Sequence, residues 1–219
     1  VFEEAIQAAE NAAPMQIALA NFQIAQGNRD QGIGLLEELH AEQPENQPIA
    51  LRLAELKLAD SPEESEELVD GVLESNPDNA QAIYLKGRLL AVDDEYGEAL
   101  ARMNRAIELQ PNFEPAYLTK TDLLQRLGRM REAEETVREV LEFNRGSLPA
   151  RARLAKLMAV NRRTRADVEN ALAEAETILQ QQPGNPDALS ARAEALLGLG
   201  RLDEARNAFE RLLQEQPDN

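Results

Sequence analysis

The chain has no cysteine, no tryptophan, a single histidine (His40), three Tyr and five Phe. Without cysteine there is no disulfide framework, no thiolate metal site and no thiol nucleophile. That suits cytoplasm and periplasm equally. A lone histidine removes the commonest general base and most transition-metal sites, so neither a metal nor a cofactor is expected. No run of eighteen apolar residues exists, so no segment reads as a membrane-spanning helix. β-Branched runs, the mark of strands, are missing as well. Basic charge is scarce: 23 Lys and Arg face 40 Asp and Glu, a net charge of −17. That balance disfavours general nucleic-acid binding. What these absences leave is an acidic, all-α chain.

What is present is a period. Pro44, Pro77, Pro111, Pro183 and Pro217 follow one another at 33, 34, 72 and 34 residues, and 72 is two periods plus four. A spacing near 34 predicts stacked helix-turn-helix units, each burying its apolar face against its neighbours. Six units result: 13–46, 47–79, 80–113, 114–147, 148–185 with four inserted residues, and 186–219. Residues 1–12, with Phe2, Ala5 and Ile6, read as the end of a preceding repeat helix. The chain is therefore expected to be a piece of a longer array. Unit three is the cleanest. Ile83, Gly87 and Leu90 share one face of a first helix, Asp93-Asp94 breaks it, and Tyr96, Ala99, Met103 and Ala106 form the facing stripe of a second. Unit six repeats the pattern through Leu189, Ala193, Leu196, Gly200, Leu202, Ala205, Phe209, Leu212 and Pro217.

This pattern resembles the tetratricopeptide repeat family over essentially the whole chain, which implies a right-handed α-α superhelix, or solenoid. Small residues stand where the family packs helices closely: Ala20, Ala54, Gly87, Ala155 and Ala193 in first helices, and Ala99, Ala133, Ala171 and Ala205 in second helices. Departures are local. Unit four has Arg145 in place of the proline and Thr121 at the small site. In the shortened turn of unit two, Ser61-Pro62-Glu63-Glu64 reads as an N-cap, a first-turn proline and a capping box. Thr164 to Asp167 read as the cap of a longer second helix in unit five. Gly32-Ile33-Gly34 lies inside a helix and reads as a packing feature, since no Gly-rich phosphate loop is present.

In this family the first helices line the concave wall, and peptides commonly lie along it. The first fourteen residues of the six units together carry +3, leaving −20 for the rest of the chain. The resemblance places Ile17, Asn21, Ile24, Leu51, Arg52, Glu55, Leu58, Tyr84, Leu85, Arg88, Leu118, Asp122, Gln125, Arg126, Arg153 and Lys156 on that wall. Asn21, Arg52, Tyr84, Arg88, Leu118, Arg126, Arg153 and Lys156 are the candidate peptide-binding residues. The aliphatics form an apolar strip, unless they pack between helices. The lysine-and-asparagine clamp of chaperone-tail binders and the asparagine ladder of glycosyltransferase-linked arrays are not matched.

From Phe143 to Ala166 the chain holds Arg145, Arg151, Arg153, Lys156, Arg162, Arg163 and Arg165 and no acid, a local +7. Guanidinium groups suit carboxylate or phosphate recognition, so these residues form a candidate anion-facing patch. The alternative is internal pairing with Glu132, Glu134, Glu135 and Glu139. The resulting expectation is a non-catalytic scaffold that holds a peptide or helix of a protein partner. The family analogy points to a bacterial envelope assembly, such as polysaccharide export or secretion, in the periplasm or cell envelope. Two alternatives stand beside it: a substrate-positioning module of a larger enzyme, and a self-assembling array that associates through open ends.

Overall fold

The computed structural model describes residues 13–215; Phe2, Ala5, Ile6 and Pro217 lie outside them. Twelve α-helices and no strand occur among the described residues. The chain divides into two compact units, Val1–Gln110 and Pro111–Asn219. In the first, α1 (Ala13–Ala25) and α2 (Arg29–Glu42), α3 (Gln47–Lys57) and α4 (Pro62–Ser75), and α5 (Ala80–Val92) and α6 (Tyr96–Leu109) form three hairpins. In the second, the hairpins are α7 (Glu114–Arg126) with α8 (Met130–Phe143), α9 (Leu148–Asn161) with α10 (Arg165–Gln181), and α11 (Pro186–Gly198) with α12 (Leu202–Glu215). Within each unit the second helix of one hairpin packs on the first helix of the next.

Punctuation residues set these boundaries. Asn79, Ser147 and Asn185 precede first helices, and their side-chain oxygens accept from the backbone N–H groups of Ala82, Ala150 and Ala188 at 3.0, 3.1 and 3.0 Å. Inside five of the six hairpins the turn contains one left-handed residue: Gly27, Asp94, Gly128, Arg162 or Gly200. The turn between α3 and α4 is the exception. It is not shortened as the sequence suggested: residues 58–61 make it four residues long against three in the others, the deficit falling on α3, which has 11 residues, and Ser61 N–H simply donates to the Lys57 carbonyl at 2.7 Å.

That turn corrects one expectation. Ser61 stands at the N-cap but its side chain makes no capping hydrogen bond, and Glu64 is drawn away to Lys57. The serine that matters is Ser65, fully buried, whose Oγ donates to the Ala54 carbonyl at 2.8 Å. Thr164 does cap α10, its Oγ1 accepting from Asp167 N–H at 3.0 Å. That helix has 17 residues against 14 for α8 and α12, so the insertion of unit five enters the fold mainly as added helix.

The close-packing positions are buried throughout: Ala20, Ala54, Ala99, Ala133, Ala155, Ala171, Ala193 and Ala205 are each at most 2% exposed. A Cβ on Gly87 would come within 2.9 Å of Arg102 Cβ and 2.4 Å of Met103 Cε. At Gly32 it would lie 2.7 Å from the Ala20 carbonyl oxygen, whereas at Gly34 it would meet nothing within 4 Å. Only the first glycine of that pair is a packing feature. Thr121, the departure in the fourth hairpin, is fully buried and satisfies its hydroxyl on the Tyr117 carbonyl of its own helix at 2.9 Å.

Candidate interaction site

The first helices of successive hairpins are joined side chain to side chain at a recurring offset. In the first unit Arg52 Nε donates to Asn21 Oδ1 at 2.7 Å, and its Nη1 reaches Glu55 at 2.6 Å. On α5 the Arg88 guanidinium lies 5.7 Å from the centre of the Tyr84 ring, a cation–π contact. In the second unit Arg153 on α9 meets Asp122 on α7 in a two-pronged pair of 3.1 and 3.0 Å. It also lies 3.5 Å from Asp187 on α11, which accepts from Lys156 Nζ at 3.0 Å. Asn21–Arg52, Asp122–Arg153 and Lys156–Asp187 are each 31 residues apart. That offset is one repeat less about one helical turn, which brings neighbouring first helices into register.

The cations of the fifth repeat are spread over several directions. Arg153 and Lys156 face Asp122 and Asp187 as above. Arg151 turns the other way, onto Glu174 of α10, and that carboxylate raises the guanidinium pKa further above its ordinary value. Arg162 pairs with Glu194 of α11 at 2.8 Å, Arg163 with Glu134 of α8 at 2.7 Å, and Arg165 with Glu169 of its own helix at 2.8 Å. Arg145 is exposed and forms no ion pair among the described residues. Of the four glutamates that the sequence offered as internal partners, Glu134 alone pairs with one of the seven; Glu132 is taken by Arg129 and Glu135 by Arg131. Glu134 is buried and satisfied by Arg138, Arg163 and Asn161.

Several aliphatics expected on the wall are core residues. Leu51, Leu58 and Leu85 are 3, 5 and 1% exposed and pack with Ala54, Val69 and Leu89. Leu118 is half-buried on α7, and Arg126 is exposed at the end of that helix. The wall of each unit is therefore mainly polar, with Tyr84 as an aromatic side chain upon it. Sequence reasoning missed Asp187, Glu174 and Glu194 as internal counter-charges. The 31-residue offset would have revealed Asp187. No helix among the described residues is long and apolar enough to cross a membrane, and none of their His, Asp and Glu residues form a group suited to hold a metal ion.

Hairpins of paired helices with small residues at most of the close contacts, repeated six times, agree with the comparison to known families: the tetratricopeptide repeat profile matches residues 30–89, 93–161 and 162–219. The chain belongs to the tetratricopeptide repeat family. Among solved structures, PilW, a widely conserved type IV pilus biogenesis factor, is similar with a TM-score of 0.73 at 18% identity, covering 96% of each chain. YrrB, a TPR protein with an unusual peptide-binding site, gives a TM-score of 0.57 at 20% identity, covering 84% of this chain and 93% of its own. At these identities the likeness is one of fold. DnaJ homolog subfamily C member 3 of Rattus norvegicus is 35% identical over 92 residues, which is 42% of this chain and 18% of that protein. The chain thus matches less than a fifth of that relative's length.

Proposed function

We propose that this tetratricopeptide chain is a non-catalytic scaffold that holds a peptide or helix of a protein partner along the first-helix walls of its units. One observation carries the reading: the first-helix segments hold +3 while the remainder holds −20. The side chains on those walls are moreover tied between the first helices of successive hairpins, Asn21 to Arg52 and Asp122 to Arg153. Such ties pre-orient donors and acceptors and lower the entropic cost of binding. The peptide-binding site of YrrB supports the same use of the fold.

Asn21, Arg52, Tyr84, Arg88, Leu118, Arg126, Arg153 and Lys156 are the contacts we assign. A carboxylate on the partner would compete with Asp122 and Asp187 for Arg153 and Lys156, whose side chains are 21 and 34% exposed. Arg145, Arg151, Arg162, Arg163 and Arg165 enter this reading only at the margin, because Arg151 is turned onto Glu174 of α10 and the other four lie outside the first helices. The likeness to PilW supports work in a bacterial envelope assembly.

A photo-crosslinking amino acid placed at Tyr84 or at Leu118, in cells producing the protein, tests the proposal. Capture of the same protein from both positions, and not from Glu108 on α6, is expected. Equal capture from Glu108 would defeat the wall as the binding surface. A second reading, association of copies, draws support from Leu202 and Leu213 on α12, which are 65 and 59% exposed. It predicts a mass in light scattering that rises with concentration and falls back to monomer on Leu213→Glu.

A further inference from the structure

On the first unit the two second helices α2 and α4 and the helix between them, α3, enclose an open cleft of about 840 Å³. Its floor is apolar: Leu68 is half-buried there, over the core residues Ala50, Leu53 and Val72. Its walls carry Glu37, Glu45, Glu64, Glu67 and Glu74 against one lysine, Lys57. Lys57 is itself mostly buried and shared between Glu37, at 2.6 Å, and Glu64. The cleft therefore already holds one ammonium group between two carboxylates. Among the described residues Glu45, Glu67 and Glu74 have no ion pair, so three further carboxylates face the cleft without a cation.

The general acidity of the chain does not account for this. Two clefts on the second helices of the other unit are balanced: one brings Arg131, Arg138 and Arg163 beside Glu134 and Glu135, another Arg165 and Arg201 beside Glu169 and Glu176. Shape adds to charge. Ala41 and Gly71 line the opening from opposite helices, and a Cβ built on Gly71 meets nothing within 4 Å. Along α4, Glu67 and Glu74 are seven residues apart, two helical turns or about 10.5 Å. A second helix lying beside α4 would present cations at that same spacing.

We propose that this cleft is a docking surface for a lysine-bearing amphipathic helix of a partner protein, separate from the first-helix walls. Leu68, with Ala41 and Gly71 at the opening, takes the partner's small aliphatic side chains, and Glu45, Glu67 and Glu74 take its ammonium groups, in the helix-in-groove mode. Lys57 stays in place and keeps Glu37 and Glu64 occupied. Because the charge contacts lie at the rim, binding weakens as salt is raised.

The test uses a fluorescein-labelled synthetic helix of about sixteen residues, with Lys on one face and Ala and Leu on the other, titrated with the whole chain by anisotropy. Saturable binding is expected, weakened about tenfold or more in the Glu45→Gln, Glu67→Gln, Glu74→Gln variant. A control of equal charge change, Glu98→Gln, Glu142→Gln, Glu210→Gln, should bind as wild type does. Gly71→Leu fills the cleft without altering charge, and it too should abolish saturable binding. Equal weakening in the control would overturn the proposal in favour of diffuse attraction to an acidic surface. So would displacement of the probe by spermidine as effective as displacement by the unlabelled helix. Full binding by Gly71→Leu would overturn it as well.

Discussion

At the scale of single residues, Gly32 and Gly34 pose the sharpest contrast. Both sit inside α2, two positions apart, yet a Cβ at Gly32 would strike the Ala20 carbonyl oxygen while one at Gly34 would enter open space. Gly32→Ala should therefore destabilise by about 1–3 kcal/mol through overpacking. Gly34→Ala should stabilise by about 0.5–1 kcal/mol through lower backbone entropy in the unfolded chain. Urea unfolding followed by circular dichroism checks both, and the same sign for the two would refute the packing account. That both glycines lie in a helix was legible from the sequence. Which of them touches α1 was not, because the answer depends on the rotation of α2 against its partner.

Helix starts show the same division at the scale of elements. Thr164→Ala removes a capping hydrogen bond that the structure contains and should cost about 1 kcal/mol. Ser61→Ala removes none and should change stability by less than about 0.5 kcal/mol. A Ser61 variant as costly as the Thr164 variant would show that the turn between α3 and α4 adopts another arrangement in solution. Both sites carry the same sequence signal, a hydroxyl followed three residues later by an acid. The difference arises in space: Lys57 claims Glu64, and Ser65 goes to the Ala54 carbonyl instead. The wall ion pairs belong to this scale as well. A double-mutant cycle of Asp122→Asn and Arg153→Gln should give a coupling of about 0.5–1 kcal/mol, since both side chains remain partly exposed.

Over the whole molecule, three groups in the two units make stability fall on the alkaline side. Hydrogen bonds to Glu37 and Glu64 hold the Lys57 amine above its ordinary 10.5. At Lys86 burial works downward, but Asp70 and Glu66 outweigh it and the net shift is upward. Burial, helped by Glu139, raises the Tyr117 phenol above 10.0. Each group holds its proton more tightly folded than unfolded. Its contribution is complete below the unfolded value and is lost as pH rises through the folded one. The melting temperature should therefore drop as pH is raised above about 10. Lys57→Met should make that drop shallower, and an unchanged slope would remove Lys57 from the account.

The repeat length, the all-α class and the small residues at the hairpin contacts follow from the sequence by itself, because they are periodic and local: a 34-residue pattern of apolar faces, caps and prolines leaves few other ways to bury itself. The division of positive charge into first helices is legible there too. Tertiary structure decided what those charges do. Residues 31 apart meet only once two hairpins have stacked, so Asp187 became the shared partner of Arg153 and Lys156, while Glu174 drew Arg151 to the opposite side of the same helix. Stacking also buried Leu51, Leu58 and Leu85 and opened the acid-lined cleft beside Gly71. Packing sets the rotation of each helix, and that rotation determines whether a side chain meets a partner, the core or open space.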